Sequence, residues 1–532
     1  MQNNEVVPKF DDLQNPETII NHIEALKSVT NILAHEKVLV NLIQQIEKID
    51  FQNVAFPESE KIIARIQQIE KIIINADGSF NTDDKFKNDI DEWKRLNSQL
   101  EKLKVTRKHY LVLTIEQVLF YANQNKWGMC KNQDFIYLYN GTFWKELDKE
   151  TFQKFLGEAA QKMGVEKYEA KYFQFRQDLF KQFLSDAYLP TPETNTDEVL
   201  INLLNGTFEI TSKGTQLRPF KQSDFITYQL PFEYNPKADA PLFQAYLDKV
   251  LPDVERQRVL SEYLGYVFIR QGVLKLESAL VLYGSGANGK SVFFEIVNAL
   301  LGNENISSYS LQQLTDDTGY YRAMISNKLV NYASEINGKL ETSLFKAMVS
   351  GESIPARLPY GKPMQLNQYS KFIFNCNELP KEVEHTNGFF RRWLIIPFDV
   401  TIPKEEQDTE LHKKIINNEL SGVFNWVLDG LNRLLKQKKF SECEAAQKAL
   451  EQYRTESDSV QMFLQENNYI KSNSNEIPLQ ELYREYKYYC DDFGNRICSA
   501  KTFSERLKNA GFESVKKNIG KVIFIKKKLN FD

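Results

Sequence analysis

Eight consecutive residues near the middle of the chain have the types and the spacing that hold phosphate groups. They fit the pattern G-x-x-x-x-G-K-[ST], whose backbone N–H groups surround an anion while the lysine reaches the β- and γ-phosphates and the hydroxyl ligates Mg²⁺. The residues are Gly284, Ser285, Gly286, Ala287, Asn288, Gly289, Lys290 and Ser291. The pattern therefore predicts a site for ATP and Mg²⁺, in which Lys290 binds phosphate and Ser291 binds the metal.

The segments on either side of this phosphate loop, residues 284–291, are those that such a loop requires. An apolar run at 279–283 precedes it and has the length of a buried parallel strand. After it, apolar residues recur at helical spacing until Gly302, a residue typical of a helix C-terminal cap. Strand, loop and helix together would aim a helix N-terminus at one anion. The alternative is a glycine-rich turn that binds no nucleotide.

A carboxylate is predicted at the end of a second strand. The mostly apolar run 328–333 leads into Ser334 and Glu335. The carboxyl ends of parallel strands face the ligand crevice, so Glu335 is placed to orient the attacking water and to assist Mg²⁺. Because the usual Asp-Glu pair is here Ser-Glu, metal ligation would depend more on Ser291 and a bridging water.

Two further strands bring an amide and two guanidinium groups to the same region of the sequence. The run 371–376 ends just before Asn377, whose amide is placed to sense the γ-phosphate or to hold the water. The run 393–398 is preceded by Arg391 and Arg392. Such arginines form either solvated salt bridges or an arginine finger that completes the site of a neighbouring subunit.

The composition is that of a large protein with several cores. The chain has 532 residues, of which 42% are hydrophobic and 26% charged, so we expect three or four domains. No stretch approaches the ~20 apolar residues of a membrane span, and the N-terminus lacks the pattern of a secretory signal. Five scattered cysteines without a C-x-x-C pair favour a reducing cytoplasm and argue against structural zinc. The net charge of −4 does not by itself indicate nucleic-acid binding.

Four segments can be distinguished along the chain. Residues 1–108 have helical spacing of isoleucines and charged outer faces, which favours a docking or oligomerisation module. Residues 109–253 mix helical runs with a hairpin signal around an Asn-Gly turn. Residues 254–435 contain the nucleotide-binding core, and residues 436–532 combine a charged helical linker with a compact C-terminal domain.

Taken in order, these motifs resemble those of the AAA+ core of superfamily 3 helicases. The similarity is to the helicase part of phage, plasmid and poxvirus primase–helicases, and two Asn-Gly-Thr-Phe stretches, 140–143 and 205–208, look like the domain that precedes this helicase. The resemblance covers roughly residues 110–532. It implies an α/β fold with a parallel sheet and a hexameric ring around a DNA strand. Residues 1–108 are too short for the primase of many relatives, so a primase or polymerase would act in trans.

In the resembled family, the stretch between the acidic strand and the sensor forms a hairpin that projects into the DNA channel. Within that stretch we single out cations with one aromatic residue between them, namely Lys346, Arg357, Tyr360 and Lys362. Cations can follow the phosphates of a strand while an aromatic ring stacks on a base. The stretch could instead be a surface loop with ordinary lysines, and Arg357 could instead reach a neighbour's phosphate.

Near the C-terminus, the order helix, helix and strand suggests a winged helix. The second helix and the wing are basic although the whole chain is acidic, which is typical of a duplex-DNA contact. The cations that we predict to contact DNA are Lys501, Arg506, Lys508, Lys516, Lys517 and Lys521. A solvated charged face and a wing that docks a protein are the alternatives.

These features together predict an ATP-hydrolysing replicative DNA helicase of a phage, plasmid or mobile element. It would translocate on single-stranded DNA as a homo-hexameric ring. The alternative is a replication initiator or loader, in which ATP switches the assembly state and origin DNA is melted without processive unwinding. Both functions use the same ATP site, so the sequence does not separate them.

Overall fold

The structure is a computed structural model that describes most of the chain. It describes residues 33–75, 78–81, 83–132, 135–187, 198–334, 336, 340–359, 361–380, 384–493, 497–518 and 520–528. Glu335 and Tyr360 therefore lie outside the described residues. Contacts divide the described chain into a helical unit, within residues 33–187 and 218–228, and a sheet unit, within residues 198–217 and 229–528. Within the described parts, no helix combines the length and the apolar character needed to cross a bilayer.

The described part of the helical unit consists of eight helices and a small antiparallel sheet. The helices are α1 His35–Gln45, α2 Phe51–Ala55, α3 Glu58–Ile73, α4 Lys87–Lys102, α5 Arg107–Gln124, α6 Lys149–Met163, α7 Lys167–Lys171 and α8 Phe173–Asp186. The strands pair in the order β1 Gly128–Asn132, β2 Phe135–Tyr139 and β3 Trp144–Glu146. The predicted hairpin around the Asn-Gly turn is thus confirmed as β2 and β3.

One hydrophobic core contains residues from both the first and the last helices of the helical unit. Val38 and Leu42 of α1 are buried in the same cluster as Ile115 of α5, Leu156 of α6 and Phe183 of α8. This core therefore includes residues on both sides of position 108, while the segment boundaries proposed from the sequence stay predictions. Of the isoleucines predicted to be helical, Ile20, Ile23 and Ile32 lie outside the described residues, and those between positions 62 and 73 lie on α3, which packs with α4 around a small cluster of its own.

The sheet unit contains the expected parallel sheet. Its strands are β4 Glu198–Leu203, β5 Gly206–Thr211, β6 Gly214–Arg218, β7 Ala279–Tyr283, β8 Ile306–Ser307, β9 Val330–Ala333, β10 Ile354–Arg357, β11 Pro363–Leu366, β12 Lys371–Cys376, β13 Trp393–Pro397, β14 Tyr469–Pro478, β15 Ser514–Lys517 and β16 Gly520–Lys527. Five of them pair in the order β13-β7-β12-β9-β8, and every pairing is parallel. The predicted α/β class with a parallel sheet is confirmed.

Helices cover both faces of this sheet and continue beyond it. They are α9 Pro241–Val250, α10 Val254–Val267, α11 Lys290–Leu301, α12 Leu311–Leu314, α13 Tyr320–Ala323, α14 Thr342–Val349, α15 Asn387–Phe390, α16 Leu411–Asn418, α17 Leu420–Gln437, α18 Glu444–Glu456, α19 Ser459–Glu466, α20 Leu479–Phe493 and α21 Ala500–Asn509. Fully buried Val281 and Phe374 on one face of the sheet pack with Phe345 of α14. Gly302, at φ +83°, follows α11 as its predicted cap.

The sheet brings three of the predicted chemical segments to one edge and places the two arginines at the other. Strands β7, β9 and β12 run parallel and end, respectively, before the phosphate loop, before Ser334 and before Asn377. Because the carboxyl ends of parallel strands meet at one edge, these three segments are neighbours there. Arg391 and Arg392 precede β13 and so lie at the opposite, amino-terminal edge of the sheet.

The C-terminal part has its own core and one strand that the sequence did not indicate. The two predicted helices are α20 and α21, and the predicted strand is β16. A third strand, β14, pairs antiparallel with β16 on the side away from β15, and its register shifts between Lys471 and Glu476. Its polar sequence lacks a clear alternation of apolar residues, which is why period-two patterning missed it.

Candidate nucleotide site and DNA-facing surfaces

The phosphate loop holds its lysine turned inward. Lys290 Nζ donates to the backbone oxygens of Gly284 at 2.6 Å and Ser285 at 3.3 Å, and to Asn288 Oδ1 at 3.1 Å. Burial lowers the pKa of the Lys290 ammonium below its ordinary value. The loop therefore places one cation, bonded mainly to neutral carbonyl groups, at its centre.

Gly289 is required by both backbone and packing. It has φ +87° and immediately precedes α11, where a β-carbon would lie 2.6 Å from Cγ1 of Val250. The hydroxyl of Tyr246, from α9, donates to the backbone oxygen of Gly289 at 2.8 Å. Helix α9 thus packs against the junction between the loop and α11. The motif itself does not reveal this contact.

The rest of the loop is anchored to the end of β13 and the segment after it. Asn288 Nδ2 donates to the backbone oxygen of Phe398 at 2.9 Å and also to Ser285. The backbone N–H of Ile402 donates to Ala287 at 2.8 Å. The polar side chain of Asn288 is therefore structural: it ties the loop to the neighbouring strand.

This arrangement fits a nucleotide phosphate and a hard cation. Gly286 is exposed, and a β-carbon built there meets no atom within 4 Å, so the space in front of the loop is open. The N-terminus of α11 faces that space with backbone N–H groups, and the exposed hydroxyl of Ser291 lies in its first turn. Oxygen ligands such as this hydroxyl suit Mg²⁺.

Strand β12, next to the phosphate-loop strand β7, ends near one predicted site residue that is exposed. Other polar residues of β12 and of its neighbour β9 hold the sheet together by hydrogen bonds. Asn377, just after β12, is exposed at this edge. Inside the sheet, the Tyr332 hydroxyl donates to Asn375 Oδ1 at 3.0 Å, and both groups link β9 to β12. Asn331 accepts from Ser307 Oγ at 3.0 Å, which links β9 to β8. These bonds fix the strand that leads to Ser334 and Glu335.

The two arginines differ sharply in environment. Arg391 keeps 55% of its side chain exposed and lies 2.6 Å from Glu277 Oε2, whereas the side chain of Arg392 is only 9% exposed. Arg392 donates to Ser350 Oγ at 2.7 Å, to the backbone oxygen of Lys346 at 3.2 Å and to that of Gly388. Arg392 thus ties α14 to the start of β13, while the guanidinium of Arg391 faces solvent.

The predicted DNA hairpin exists as strands β10 and β11, which pair antiparallel. Arg357 and Lys362 are exposed beside its turn, and Arg357 Nε donates to the backbone oxygen of Gly361 at 3.0 Å. Lys346 lies on α14 instead, where its ammonium is 2.8 Å from Glu384 Oε2. The structure therefore brings two of the predicted cations together on the hairpin and places the third in an ion pair elsewhere.

The predicted C-terminal cations also divide into paired and exposed groups. Lys517 is 2.5 Å from a carboxylate oxygen of Glu476, and Lys521 donates to Ser504 Oγ at 2.6 Å. Of the six predicted cations, Lys501, Lys508 and Lys516 are exposed, and their ammonium groups form neither an ion pair nor a hydrogen bond within the described chain. The ammonium groups of these three lysines are accessible to a phosphate backbone.

Arg506 belongs to a buried cluster that sequence reasoning missed. Its Nη1 lies 3.0 Å from Asp458 Oδ1, and Asp458 Oδ2 lies 3.9 Å from His385 Nδ1. His385 comes five residues after Pro380 in the segment that leads to Arg391, and Asp458 caps α19. The three residues are far apart in sequence, so no local motif could have indicated the cluster.

Comparisons with known proteins match three parts of the chain. Residues 116–252 match a family described as D5 N terminal like, residues 282–392 a family of unknown function (DUF5906), and residues 455–532 a family described as Poxvirus D5 protein-like. A protein of Acanthamoeba polyphaga mimivirus named "Putative helicase L207/L206" is 28% identical over 259 residues, covering 45% of this chain and 26% of that protein. This chain thus matches about a quarter of the length of that relative.

Solved structures of the NrS-1 C terminal region also align with the chain. One apo structure has 13% sequence identity and a TM-score of 0.44, covering 77% of this chain and 98% of that chain. Its A form has 14% identity and a TM-score of 0.43, covering 76% of this chain and 97% of that chain. From the matched families and the viral relative, the chain resembles the helicase part of phage- and poxvirus-type primase–helicases, the superfamily 3 resemblance that its motifs indicated.

Proposed function

We propose that the protein is an ATP-driven DNA helicase that works as a ring of identical subunits. The observation that carries this proposal is the phosphate loop, held between β7 and α11 at the carboxyl edge of a parallel sheet. The strand order β13-β7-β12-β9-β8, in which the loop-bearing strand is flanked by two later strands, supports an AAA+ core.

The residues of the loop have distinct roles in this proposal. The Lys290 ammonium would leave the carbonyl oxygens of Gly284 and Ser285 to contact phosphate oxygens. The backbone N–H groups at the start of α11 would donate to the same phosphates. Ser291 would ligate Mg²⁺, which when bound neutralises charge on the β- and γ-phosphates.

Hydrolysis requires a group that orients water and one that senses the phosphate. Glu335 comes directly after Ser334 in the sequence, and Ser334 follows the end of β9. We assign Glu335 the orientation of the attacking water, and Asn377 the contact to the γ-phosphate or to that water. Ser334 is exposed at the end of β9, and its hydroxyl would be a second oxygen ligand for the metal.

The position of Arg391 favours action on a neighbouring subunit. Trp393 of β13 is in register with Ala279 of β7, and Pro397 with Tyr283, so Arg391 and Gly284 lie beyond opposite ends of the paired strands. Five residues of strand span roughly 16 Å. A guanidinium at that distance cannot serve its own loop, and head-to-tail contact in a ring supplies it to the next subunit.

DNA contacts are proposed at two places in the sheet unit. Arg357 and Lys362, beside the turn of the β10–β11 hairpin, would follow a single strand. The exposed lysines of α21 and the β15–β16 hairpin would contact duplex phosphates, with α20, α21 and these strands acting as a winged helix. Basic side chains without ion-pair partners on an acidic chain support both assignments.

One pair of assays tests the whole proposal. The full chain should hydrolyse ATP faster when single-stranded DNA is added, and should separate a forked duplex in steady turnover. Lys290→Ala should abolish both activities, while Glu335→Gln should retain nucleotide binding and lose hydrolysis. Hydrolysis without strand separation, together with ATP-dependent origin binding, would instead identify an initiator or loader. Equal hydrolysis by wild type and Glu335→Gln would remove Glu335 from the mechanism.

A further inference from the structure

The corner between α7 and α8, in the helical unit, exposes three aromatic side chains within six residues. Tyr168 is 78% exposed, Tyr172 48% and Phe173 61%. The rings of Tyr172 and Phe173 meet edge to face, with centroids 4.9 Å apart. Single exposed apolar residues are ordinary on protein surfaces, but three exposed aromatic rings in one short segment, two of them in contact, indicate an interaction site.

These rings project from a corner that is otherwise firmly held. Ala170, between them, is fully buried, and Phe175 and Leu179 of α8 are buried in the core of the unit. Arg107 of α5 lies 3.2 Å from Glu169 and 3.3 Å from Asp178, so one guanidinium joins the two helices. The aromatic rings are thus displayed on a rigid support, not on a loose loop.

Lysines alternate with the rings. Lys167 and Lys171 are exposed on α7, next to Tyr168 and Tyr172 in sequence. Neither ammonium has a carboxylate oxygen within 4.0 Å in the described part of the chain. The carboxylate of Glu166 instead accepts from the backbone N–H groups at the start of α7, and that of Glu169 pairs with Arg107. The exposed corner therefore combines aromatic faces with accessible positive charge.

We propose that this corner, Lys167–Phe173, is a stacking platform for single-stranded DNA. Aromatic faces can stack only on bases that are not already stacked in a duplex, and lysines beside them can follow the phosphates. Lysine is depleted in the cores of protein–protein interfaces, so alternating lysines and aromatic rings favour nucleic acid over a docked protein. The inference rests on the proposed function in one respect: a DNA helicase would produce the single-stranded DNA that binds here.

The test measures binding of fluorescein-labelled oligo(dT)30 to the full chain by anisotropy, without ATP. The triple variant Tyr168→Ala/Tyr172→Ala/Phe173→Ala should weaken binding about a hundredfold to a thousandfold, because each of the three lost stacks costs roughly fivefold to tenfold. Lys167→Gln/Lys171→Gln should lower the slope of log K against log salt by about 1.4, at ~0.7 for each single-strand phosphate contact. Phe120→Ala, a 51% exposed aromatic on α5, is the matched control and should bind as wild type.

The outcomes separate this platform from other roles. Unchanged oligo(dT)30 affinity in the triple variant overturns the proposal, and an altered sedimentation coefficient in that case identifies a protein-docking surface. Equal losses for a 30-base-pair duplex would also overturn it, because duplex bases cannot stack on the rings. Tighter binding of oligo(U)30 than of oligo(dT)30 would assign the platform to RNA. None of these measurements needs ATP turnover, so failure of the proposed motor leaves them interpretable.

Discussion

Arg391 Nη2 lies 2.6 Å from Glu277 Oε2 at the amino-terminal edge of the parallel sheet, the edge opposite the phosphate loop. Burial alone would raise the pKa of the Glu277 carboxyl, but Lys275, Arg391 and Arg392 hold it below its ordinary value. Glu277 therefore stays ionised and holds the exposed guanidinium in place. The relationship defines where a neighbouring subunit would have to lie for Arg391 to act on its phosphates.

The first prediction is that Arg391 completes the site of a neighbour. Arg391→Ala should lower turnover by ~10³–10⁵, the range for arginines that act in trans, while nucleotide binding to the loop is retained. Mixing Arg391→Ala subunits with Lys290→Ala subunits should restore part of the turnover, because each retains the half-site that the other lacks. The measurement is the ATPase rate of the mixture, and sedimentation confirms that the two variants co-assemble. Full activity of a dilute monomer, or no rescue in co-assembled mixtures, would contradict the ring.

The second prediction is that Arg392 acts in stability. Arg392→Ala would leave buried acceptors at Ser350 and Gly388 without their donor, so the free energy of unfolding should fall by about 3 kcal/mol. Arg391→Ala removes an ion pair in which the arginine side chain is largely exposed. This substitution should change the free energy of unfolding by less than about 1 kcal/mol. Urea denaturation of both variants measures the difference. Equal losses would show that the two arginines share one structural role.

The third prediction concerns the β10–β11 hairpin. Lys362→Ala should leave basal ATPase activity intact and reduce unwinding of a forked duplex, because an exposed cation beside the hairpin turn is lost without disturbing the core. Lys346→Ala is the comparison, since Lys346 lies on α14, off the hairpin, and its ammonium pairs with Glu384. ATPase and unwinding rates of the two variants are measured side by side. If Lys362→Ala unwinds as wild type while Lys346→Ala does not, the DNA contact lies on α14.

The fold around the phosphate loop could be predicted from sequence because its signals are local. Strand β7, the phosphate loop and α11 are contiguous, and each has its own periodicity or glycine pattern. The contacts of Tyr246 with Gly289 and of Glu277 with Arg391 join residues 43 and 114 positions apart, and neither side chain belongs to a motif. Arg391 and Arg392 looked equivalent in sequence, and only packing separates an exposed guanidinium from a buried one.

The basic C-terminal part illustrates a second limit of sequence reasoning. Charge counting treats every cation alike, yet Arg506 is turned toward Asp458 and Lys517 toward Glu476. Which lysines remain accessible depends on where β14 pairs, and β14 has no apolar alternation to reveal it. The exposed lysines of this surface therefore emerge only from the fold.

The fourth prediction compares accessible lysines of the C-terminal part with one that is paired with a carboxylate. Lys508→Gln/Lys516→Gln should weaken duplex binding and lower the slope of log K against log salt by about 1.8, at ~0.9 for each phosphate contact. Lys517→Gln, whose ammonium pairs with Glu476, should change the slope less. Titrations of a fluorescent duplex at several salt concentrations measure both effects. Identical slopes for wild type and the double variant would place the duplex contact elsewhere.

The last prediction concerns pH and the cluster that joins the segment before Arg391 to the C-terminal part. Burial, together with the nearby Arg506 guanidinium, lowers the pKa of His385 below its ordinary value of 6.5, and Asp458 only partly opposes this. The folded protein thus favours neutral His385. As pH falls below 6.5, the unfolded chain takes up this proton before the folded chain does, so the free energy of unfolding should fall, by at most about 1.4 kcal/mol per pH unit.

His385→Gln removes the titrating group from this cluster while keeping a polar side chain. The variant should lose less stability than wild type between pH 6.5 and the lower pKa of folded His385, and the two curves should run parallel above pH 7.5, where the histidine is neutral in both states. Urea denaturation at closely spaced pH values measures this difference directly. His412→Gln, on α16 and outside the cluster, is the control and should retain the wild-type dependence. A steeper acid loss in His385→Gln than in wild type would mean that protonated His385 stabilises the fold through Asp458, the opposite sign.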